Sequence, residues 1–373
     1  MPNQRRLLYI TDQDEYMDHS FIAPLFEIYL KKYLHIDIVY FTEFKSDFEH
    51  KDLYHFIVPS RYKNALLDEL NRNNVDMQSY DYVMVRNNIE ILEQVLRDRE
   101  TYGYKALFRF SYPKRSIKIS CAEAENKTDL LAPVVHHFKT ASETNIINQC
   151  DAFLPTSRAM HKAFRPDVNI TTILCPPAIN PRLLYENEQH TEDEKRFVYV
   201  GTLDALREFE TVLDAFSQLE SKKWKLLIST RDTSYAEEML ENYPHIKDQI
   251  EICNAQTKEA MLELIAKSDI GVALLPAIPI YTTSTSVKIF DYYASAVPCL
   301  MANAEHTATI FTNRVDAWFC NFSKEDICKE IEYLITLSKH EVMKVGEKGQ
   351  QRLLDIRNYE TIAKTIAQKI ETL

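Results

Sequence analysis

Glycine is nearly missing from this chain. Its 373 residues include five, Gly103, Gly201, Gly271, Gly346 and Gly349. A dinucleotide-binding G-x-G-x-x-G and a P-loop, which need clustered glycines, are both excluded. The seven cysteines (121, 150, 175, 253, 299, 320, 328) are scattered, odd in number and contain no C-x-x-C pair. That argues against a disulfide framework and a zinc site, and reads as reduced thiols. No stretch approaches the roughly 20 apolar residues of a membrane span, and the apolar run near the basic N-terminus is too short for a signal peptide. The expected location is the cytoplasm. Positive charge is also short. Lys+Arg number 44 against 55 Asp+Glu, a net charge of −11, which argues against a nucleic-acid partner. The deficit is uneven: residues 1–185 hold 23 Lys+Arg against 24 Asp+Glu, and residues 186–373 hold 21 against 31.

What is present is a globular composition, 45% hydrophobic and 27% charged, at a length that suits two domains. Short apolar runs alternate with amphipathic helical ones. Strands are expected at 7–11, 36–41, 82–85, 106–110, 152–155 and 171–174, with helices at 23–33, 64–73 and 90–100. Most of the strand runs are continuous rather than alternating, as in parallel sheets buried on both faces. The pattern stops at 175–195, where three prolines precede a polar, acidic run that reads as a linker. A second series follows, with strands at 196–201, 225–229, 250–253, 270–276, 298–302 and 317–320 and helices at 208–220 and 258–268. The expectation is α/β: two doubly wound Rossmann-like domains facing across a cleft, 1–180 and 186–357, with an amphipathic helix at 358–373 that returns to the first. In such sheets ligands sit at the carboxyl ends of strands, so the residues that follow them are the ones to read.

Two strand ends stand out. In "FVYVGTLDALREFETVLDAF" (197–216) Gly201 closes a strand and permits close backbone approach, while Arg207, near a helix start, suits bidentate phosphate binding. In "YTTSTSVKIFDYYASAVP" (281–298), hydroxyls crowd the start of a helix. Those of Ser284, Thr285 and Ser286 either cap that helix or bond an anion, and its first-turn N–H groups form an anion site. Lys288 adds a cation where the helix macrodipole disfavours one unless an anion sits in front. Asp291, three residues on, suits the two hydroxyls of a ribose; the competing reading is a surface ion pair between Lys288 and Asp291. Thr230 and Asn254 follow two further strands.

These two segments resemble the donor-binding signatures of retaining GT-B glycosyltransferases, family-4-like. The blocks "CDAFLPTSRAMHKAF", "ILCPPAINPRLL", "LISTRD" and "AKSDIGVALLP" recur in the same order, so the resemblance covers residues 150–320. It implies a GT-B fold and transfer of a sugar from a nucleotide-diphosphate sugar, UDP- or GDP-linked, to a glycan or lipid-linked acceptor in cell-surface polysaccharide synthesis, with retention, no metal and no cofactor. Arg207 matches the second member of the family's basic pair and Thr202 occupies the place of the first. Asp291 matches the second glutamate of its E-x7-E motif, and Thr283 replaces the first, which touches the sugar. Arg207 and Lys288 are thus the expected catalytic cations. Gly201, Thr202, Thr230, Asn254, Thr283, Ser284, Thr285, Ser286, Val287 and Asp291 are the expected donor contacts.

On the acceptor side the candidates are Asp12, His19, Arg109 and Ser111. "DQD" (12–14) reads as an acidic loop rather than a metal site, and His136-His137 as exposed helix residues. The basic-aromatic segment 104–118 reads as a strand and basic loop, or as a surface for an anionic membrane or a phosphorylated acceptor. A homo-oligomer or a partner glycosyltransferase is a further expectation. The rival reading is a degenerate GT-B subunit that binds nucleotide or scaffolds a partner.

Overall fold

A computed structural model describes residues 4–14, 16, 22–124, 132–188 and 194–373. The chain divides into two compact units: residues 1–119, 128–176 and 359–373 in one, residues 120–127 and 177–358 in the other.

Unit one is built on a sheet of seven strands among the described residues: β1 (Arg6–Ile10), β2 (His35–Thr42), β3 (Glu49–His50), β4 (His55–Pro59), β5 (Tyr82–Arg86), β6 (Lys105–Phe110) and β7 (Ala152–Pro155), in the order β3-β4-β2-β1-β5-β6-β7. Only β3 runs antiparallel, along β4. The central strands are buried along almost their whole length, as their unbroken apolar runs require of a sheet covered on both faces. The helices are α1 (Leu66–Arg72), α2 (Ile89–Tyr102), α3 (Lys114–Ala124), α4 (Ala132–Ile147) and α5 (Arg158–Phe164). The final helix of the chain, Tyr359–Glu371, buries Ala363, Ile366, Ala367 and Ile370.

Several expected elements differ. The run 23–33 forms a π-helical turn and then a 3-10 turn, not an α-helix. Residues 171–174 make only a single bridge, Phe153 to Thr172. The strand β4 was not anticipated, because polar His55 and Pro59 bracket its short apolar core. The supposed basic loop after β6 is helical from Lys114 onward.

His55 is buried on β4. Its Nδ1 is 2.7 Å from Asp52 Oδ2, and its Nε2 is 3.6 Å from Glu27 Oε1, a charge contact rather than a hydrogen bond. Burial lowers its pKa, but the two carboxylates outweigh burial and raise it above 6.5. A raised folded-state pKa stabilises most below the unfolded value and loses that contribution as pH climbs through the folded one. His55→Gln is therefore expected to lower the melting temperature most between the carboxylate range and pH 6.5. The gap to the parent protein closes as pH rises, and a pH series of thermal melts of both proteins reads it.

Unit two holds a six-stranded parallel sheet in the order β10-β9-β8-β11-β12-β13. Its strands are β8 (Lys195–Val200), β9 (Trp224–Ser229), β10 (Ile250–Cys253), β11 (Ile270–Ala273), β12 (Cys299–Ala302) and β13 (Trp318–Cys320). Its helices are α6 (Phe209–Ser217), α7 (Thr233–Leu240), α8 (Lys258–Ala266), α9 (Pro279–Thr282), α10 (Val287–Ala294), α11 (Glu305–Ala308), α12 (Lys324–Thr336) and α13 (Lys339–Ile356). In each sheet the chain winds outward one way and then the other, so the direction reverses at β1/β5 and at β8/β11. Crevices open at such reversals, at the carboxyl ends of the strands.

The scarce glycines are concentrated around one helix, α10. A Cβ at Gly271 would lie 2.4 Å from the Tyr292 ring, and one at Gly349 2.2 Å from Tyr293. One at Gly346 would lie 1.8 Å from the Ala296 carbonyl oxygen, and one at Gly201 3.2 Å from Lys288 Nζ. Four of the five glycines therefore clear space for α10 or the turn that ends it. Tyr292, buried between α10 and the sheet, accepts from the Val200 N–H at 3.1 Å and donates to Val272 O at 3.1 Å. Its phenol joins β8 to β11 and ties α10 to both strands.

Candidate functional site

The reversal at β8/β11 collects most of the donor-side candidates. Gly201 follows β8, Thr230 follows β9 and Asn254 follows β10, so all three lie on the carboxyl edge of the sheet. Gly201 has φ +135, outside the range other residues adopt readily. Its bare Cα lets the Lys288 side chain pass directly over it. Lys288 is half-buried as a residue, but its Nζ is shut off from solvent and has no hydrogen-bond partner among the described residues. The ammonium rests 3.7 Å from the centre of the Tyr199 ring. Burial, and then the charge of Arg207, pull its pKa well below the usual lysine value.

Arg207 ends a short 3-10 turn ahead of α6. Asp204 accepts from its backbone N–H at 3.1 Å and pairs with its guanidinium, which lies 5.9 Å from the Tyr281 ring centre. Thr202 is exposed; its carbonyl accepts from Tyr199 Oη at 2.6 Å. Asn254 is exposed as well.

The hydroxyl-rich stretch divides by role. Thr282 and Thr283 donate to Ile278 O at 3.1 Å and Pro279 O at 2.7 Å, on α9. Thr283, at the position of the resembled family's first glutamate, is thus engaged with its own helix. Ser286 is the N-cap of α10 and its side chain makes no cap bond, so the capping expectation for it fails. Thr285 Oγ1 and Thr230 Oγ1 are buried with no partner among the described residues. Ser284 and Ser286 line a small pocket at the ends of β11 and β12, together with Tyr281 and Asn303. Val287 is the first helical residue. The start of α10 therefore carries hydroxyls, free first-turn N–H groups and an enclosed amine within a few residues, all of them able to donate.

Asp291 makes no ion pair with Lys288. It pairs with Lys258, the first residue of α8, and both side chains are 13% exposed. The two charges on α10 diverge because Lys288 turns toward Gly201 while Asp291 turns toward α8. Nothing in the sequence spacing pairs residues 258 and 291, and Lys258 was not anticipated.

Unit one has a second polar cluster, at the β1/β5 reversal. Asp12, after β1, forms an ion pair with Arg86, the last residue of β5, and each side chain is 3% exposed. Tyr112 donates to Asp12 Oδ2 at 2.9 Å. Ser111 Oγ accepts from Arg86 Nε and from Asn87 Nδ2, each at 2.8 Å, and its N–H donates to Asn87 Oδ1 at 2.9 Å. Asn87 has φ +53, a left-handed value held by this network. Arg86, Asn87 and Tyr112 were missed by sequence reading, since only the sheet order brings β1, β5 and β6 together. Arg109 does not line an open edge. It is 4% exposed, donates to Tyr9 Oη at 2.6 Å and stacks 4.9 Å from the Phe26 ring centre. The pleat directs it into the core. His19 lies outside the described residues. Among the described residues no group of three His, Cys, Asp or Glu is placed to hold a metal ion, and no helix is long and apolar enough to cross a membrane.

Residues 194–337, which contain all the donor-side candidates, match the family described as Glycosyl transferases group 1. Among solved structures the chain is similar to sucrose-phosphate synthase from Thermosynechococcus elongatus, with 14% identity, 99% of each chain covered and a TM-score of 0.75. It is also similar to Anabaena HepE in complex with UDP and glucose, with 12% identity, 99% of this chain and 100% of that one covered and a TM-score of 0.71. The lipopolysaccharide outer core galactosyltransferase WaaB is similar at 10% identity, 98% and 99% coverage and a TM-score of 0.63. No curated protein matches the chain in sequence. At these identities the structural likenesses establish the fold, which is GT-B-like with two Rossmann-like units.

Proposed function

We propose that this chain, whose residues 194–337 match the family described as Glycosyl transferases group 1, is a glycosyltransferase that moves a sugar from a nucleotide-diphosphate sugar to a glycan or lipid-linked acceptor, with retention and without a metal. The observation that carries this reading is the Lys288 amine, enclosed over Gly201 with no partner among the described residues. A diphosphate placed there receives Lys288, the first-turn N–H groups of α10 and the hydroxyls of Thr285 and Ser286. Arg207 adds charge from the β8 side. As the glycosidic bond breaks, negative charge builds on the diphosphate, and these pre-set donors stabilise it. Asp291, oriented by Lys258, takes the ribose hydroxyls; a carboxylate has about four lone-pair sites, so the ion pair leaves it acceptor capacity. UDP is the favoured nucleotide, because HepE is a fold relative in complex with it. The acceptor is assigned to unit one.

Thermal melts with UDP and GDP test the reading. A nucleotide at ~100 times its Kd stabilises by about 2.7 kcal/mol. Asp291→Asn is expected to weaken binding about tenfold. A 2′,3′-dideoxy nucleotide should bind the parent protein more weakly and show no further loss with the variant, the non-additivity expected of one shared contact. Full additivity would place the ribose elsewhere. A second reading has one observation behind it: Thr283, where the resembled family has a sugar-contacting glutamate, spends its hydroxyl on Pro279 O. On that reading the chain binds nucleotide but transfers nothing. Tight UDP binding with no turnover of any UDP-sugar would favour it.

A further inference from the structure

Unit one contains a cavity of about 950 Å³, far from small, between β6, the segment after it, α4 and the end of α5. Its polar wall is unusual in chemistry. Glu143 on α4 bridges two arginines, Arg115 Nη2 at 2.5 Å and the guanidinium of Arg165. Glu143 and Arg165 are each only 9% exposed. One carboxylate therefore sits between two guanidiniums, which leaves one positive charge in excess. Four polar atoms on this wall are closed off from solvent and have no hydrogen-bond partner among the described residues: Arg115 Nη1, Arg165 Nε, Thr140 Oγ1 and His136 Nδ1. The two arginine nitrogens can only donate, and the hydroxyl and the imidazole can also donate. His136, expected on an exposed helix face, instead turns inward to this wall; only His137 is exposed. Burial, and then the charges of Arg115 and Arg165, lower the His136 pKa.

The cavity also has an apolar face, and Lys114, Lys118, Glu90 and Asp167 line the remainder. Phe108 and Phe110 of β6 form its floor, and the Phe110 ring centre lies 5.3 Å from the Arg165 guanidinium. Asn87 and Tyr112 line it too. Those two also belong to the Asp12–Arg86 network, so the cavity reaches the carboxyl edge of the sheet at the β1/β5 reversal.

Buried donors left without acceptors cost free energy, and their clustering beside one cavity calls for a ligand that supplies the acceptors. A phosphate group does so, with several oxygens and the negative charge that the extra guanidinium lacks. The space beyond it, floored by phenylalanines, holds an organic body. We propose that this cavity binds a phosphate ester, with its phosphate on Arg115, Arg165, Thr140 and His136 and its organic part over Phe108 and Phe110. This deepens the reading above by making the acceptor a phosphorylated one, and it rests on that reading for calling the ligand an acceptor. The ester is either a soluble molecule or a lipid headgroup. Val135 and Phe138, exposed on α4, make the lipid source worth a separate arm.

The test uses the full chain, with phenyl phosphate in solution and with phosphatidylcholine vesicles that contain phosphatidic acid, against phosphatidylcholine alone. Binding of at least one phosphate probe is expected, weakened about tenfold or more in Arg165→Met. Thr140→Val guards against misfolding of that variant. It removes an unpartnered hydroxyl, so it should leave the melting temperature unchanged or higher while weakening the same probe several-fold. Binding of phenyl phosphate assigns a soluble ester, and binding to doped vesicles alone assigns a lipid headgroup. If neither probe binds while UDP still stabilises the protein, the cavity proposal is overturned and the donor reading stands. If a phosphate probe binds with the expected losses but no nucleotide does, the cavity stands and the donor reading falls. Probe affinity unchanged in both variants would also overturn the cavity.

Discussion

Lys288→Met should raise the melting temperature of the unliganded protein while lowering kcat about a hundred- to a thousandfold. The two effects have one cause. An amine sealed from water with no anion beside it costs stability when charged, and burial together with Arg207 holds its pKa well below 10.5. The sign follows from linkage. A group whose folded-state pKa is depressed makes its full contribution only above the unfolded value, and that contribution is lost as pH falls. The gain from Lys288→Met is therefore largest at neutral pH and fades toward 10.5. A diphosphate reverses the balance, because its charge favours the ammonium. Binding of UDP should take up a proton at mildly alkaline pH, read by calorimetry in two buffers of different ionisation heat, and Lys288→Met should abolish that uptake. A fall in melting temperature with turnover intact would show that the amine props the structure and serves no ligand. A stability cost at a site of this kind is expected where binding has been favoured over the empty state.

Gly346→Ala is expected to destabilise the protein by about 3 kcal/mol, against the direction that helix propensity alone predicts. Gly346 lies inside α13, where alanine is preferred to glycine by about 1 kcal/mol. Its added Cβ would meet the Ala296 carbonyl oxygen at 1.8 Å, the Ala296 carbonyl carbon at 2.8 Å and Pro298 Cδ at 2.9 Å. These are backbone and ring atoms that cannot rotate away. The turn they belong to is also pinned. The N–H of Val297 donates to Tyr292 O at 3.0 Å and that of Ala296 to Tyr293 O at 3.1 Å, the pattern of a Schellman cap, with Ala296 at φ +51. Gln350 Nε2, one turn further along α13, donates to Tyr293 O at 2.9 Å. The alanine must push α13 away from α10, and a loss of donor affinity should accompany the lower melting temperature. Gly103→Ala is the control: nothing lies within 4 Å of its added Cβ, so only the left-handed backbone at φ +80 is strained, at a cost of about 1 kcal/mol. Equal losses at the two positions would refute the packing argument.

Much of the proposed donor side could be named from the sequence because its information is local. The hydroxyl run, Lys288 and Asp291 lie within ten residues, and Gly201 and Arg207 within seven. A strand end followed by a helix start is a chain-local event, so the residues that reach the carboxyl edge of the second sheet can be named without coordinates. The alternation of apolar runs with helical periods likewise indicates doubly wound sheets. The weaker strands failed for a physical reason: β4 has only three apolar residues between His55 and Pro59, too few for a period to register.

What the linear chain determined, then, was the class of fold, the residues at each strand end and the sign of charge at the start of α10. Only the tertiary structure decided how those charges are spent. It turned Lys288 over Gly201 onto Tyr199 and gave Asp291 to Lys258, 33 residues away. It locked Asp12 onto Arg86, buried Arg109, and set Glu143 between Arg115 and Arg165. Each of these pairings joins elements far apart in sequence, and the energy that selects them, the desolvation of a charge against its partner, exists only once the sheets have brought those elements together. The five glycines show the same division. Their scarcity excluded phosphate loops at sight, while their use as clearance for α10 depends on packing that no spacing encodes.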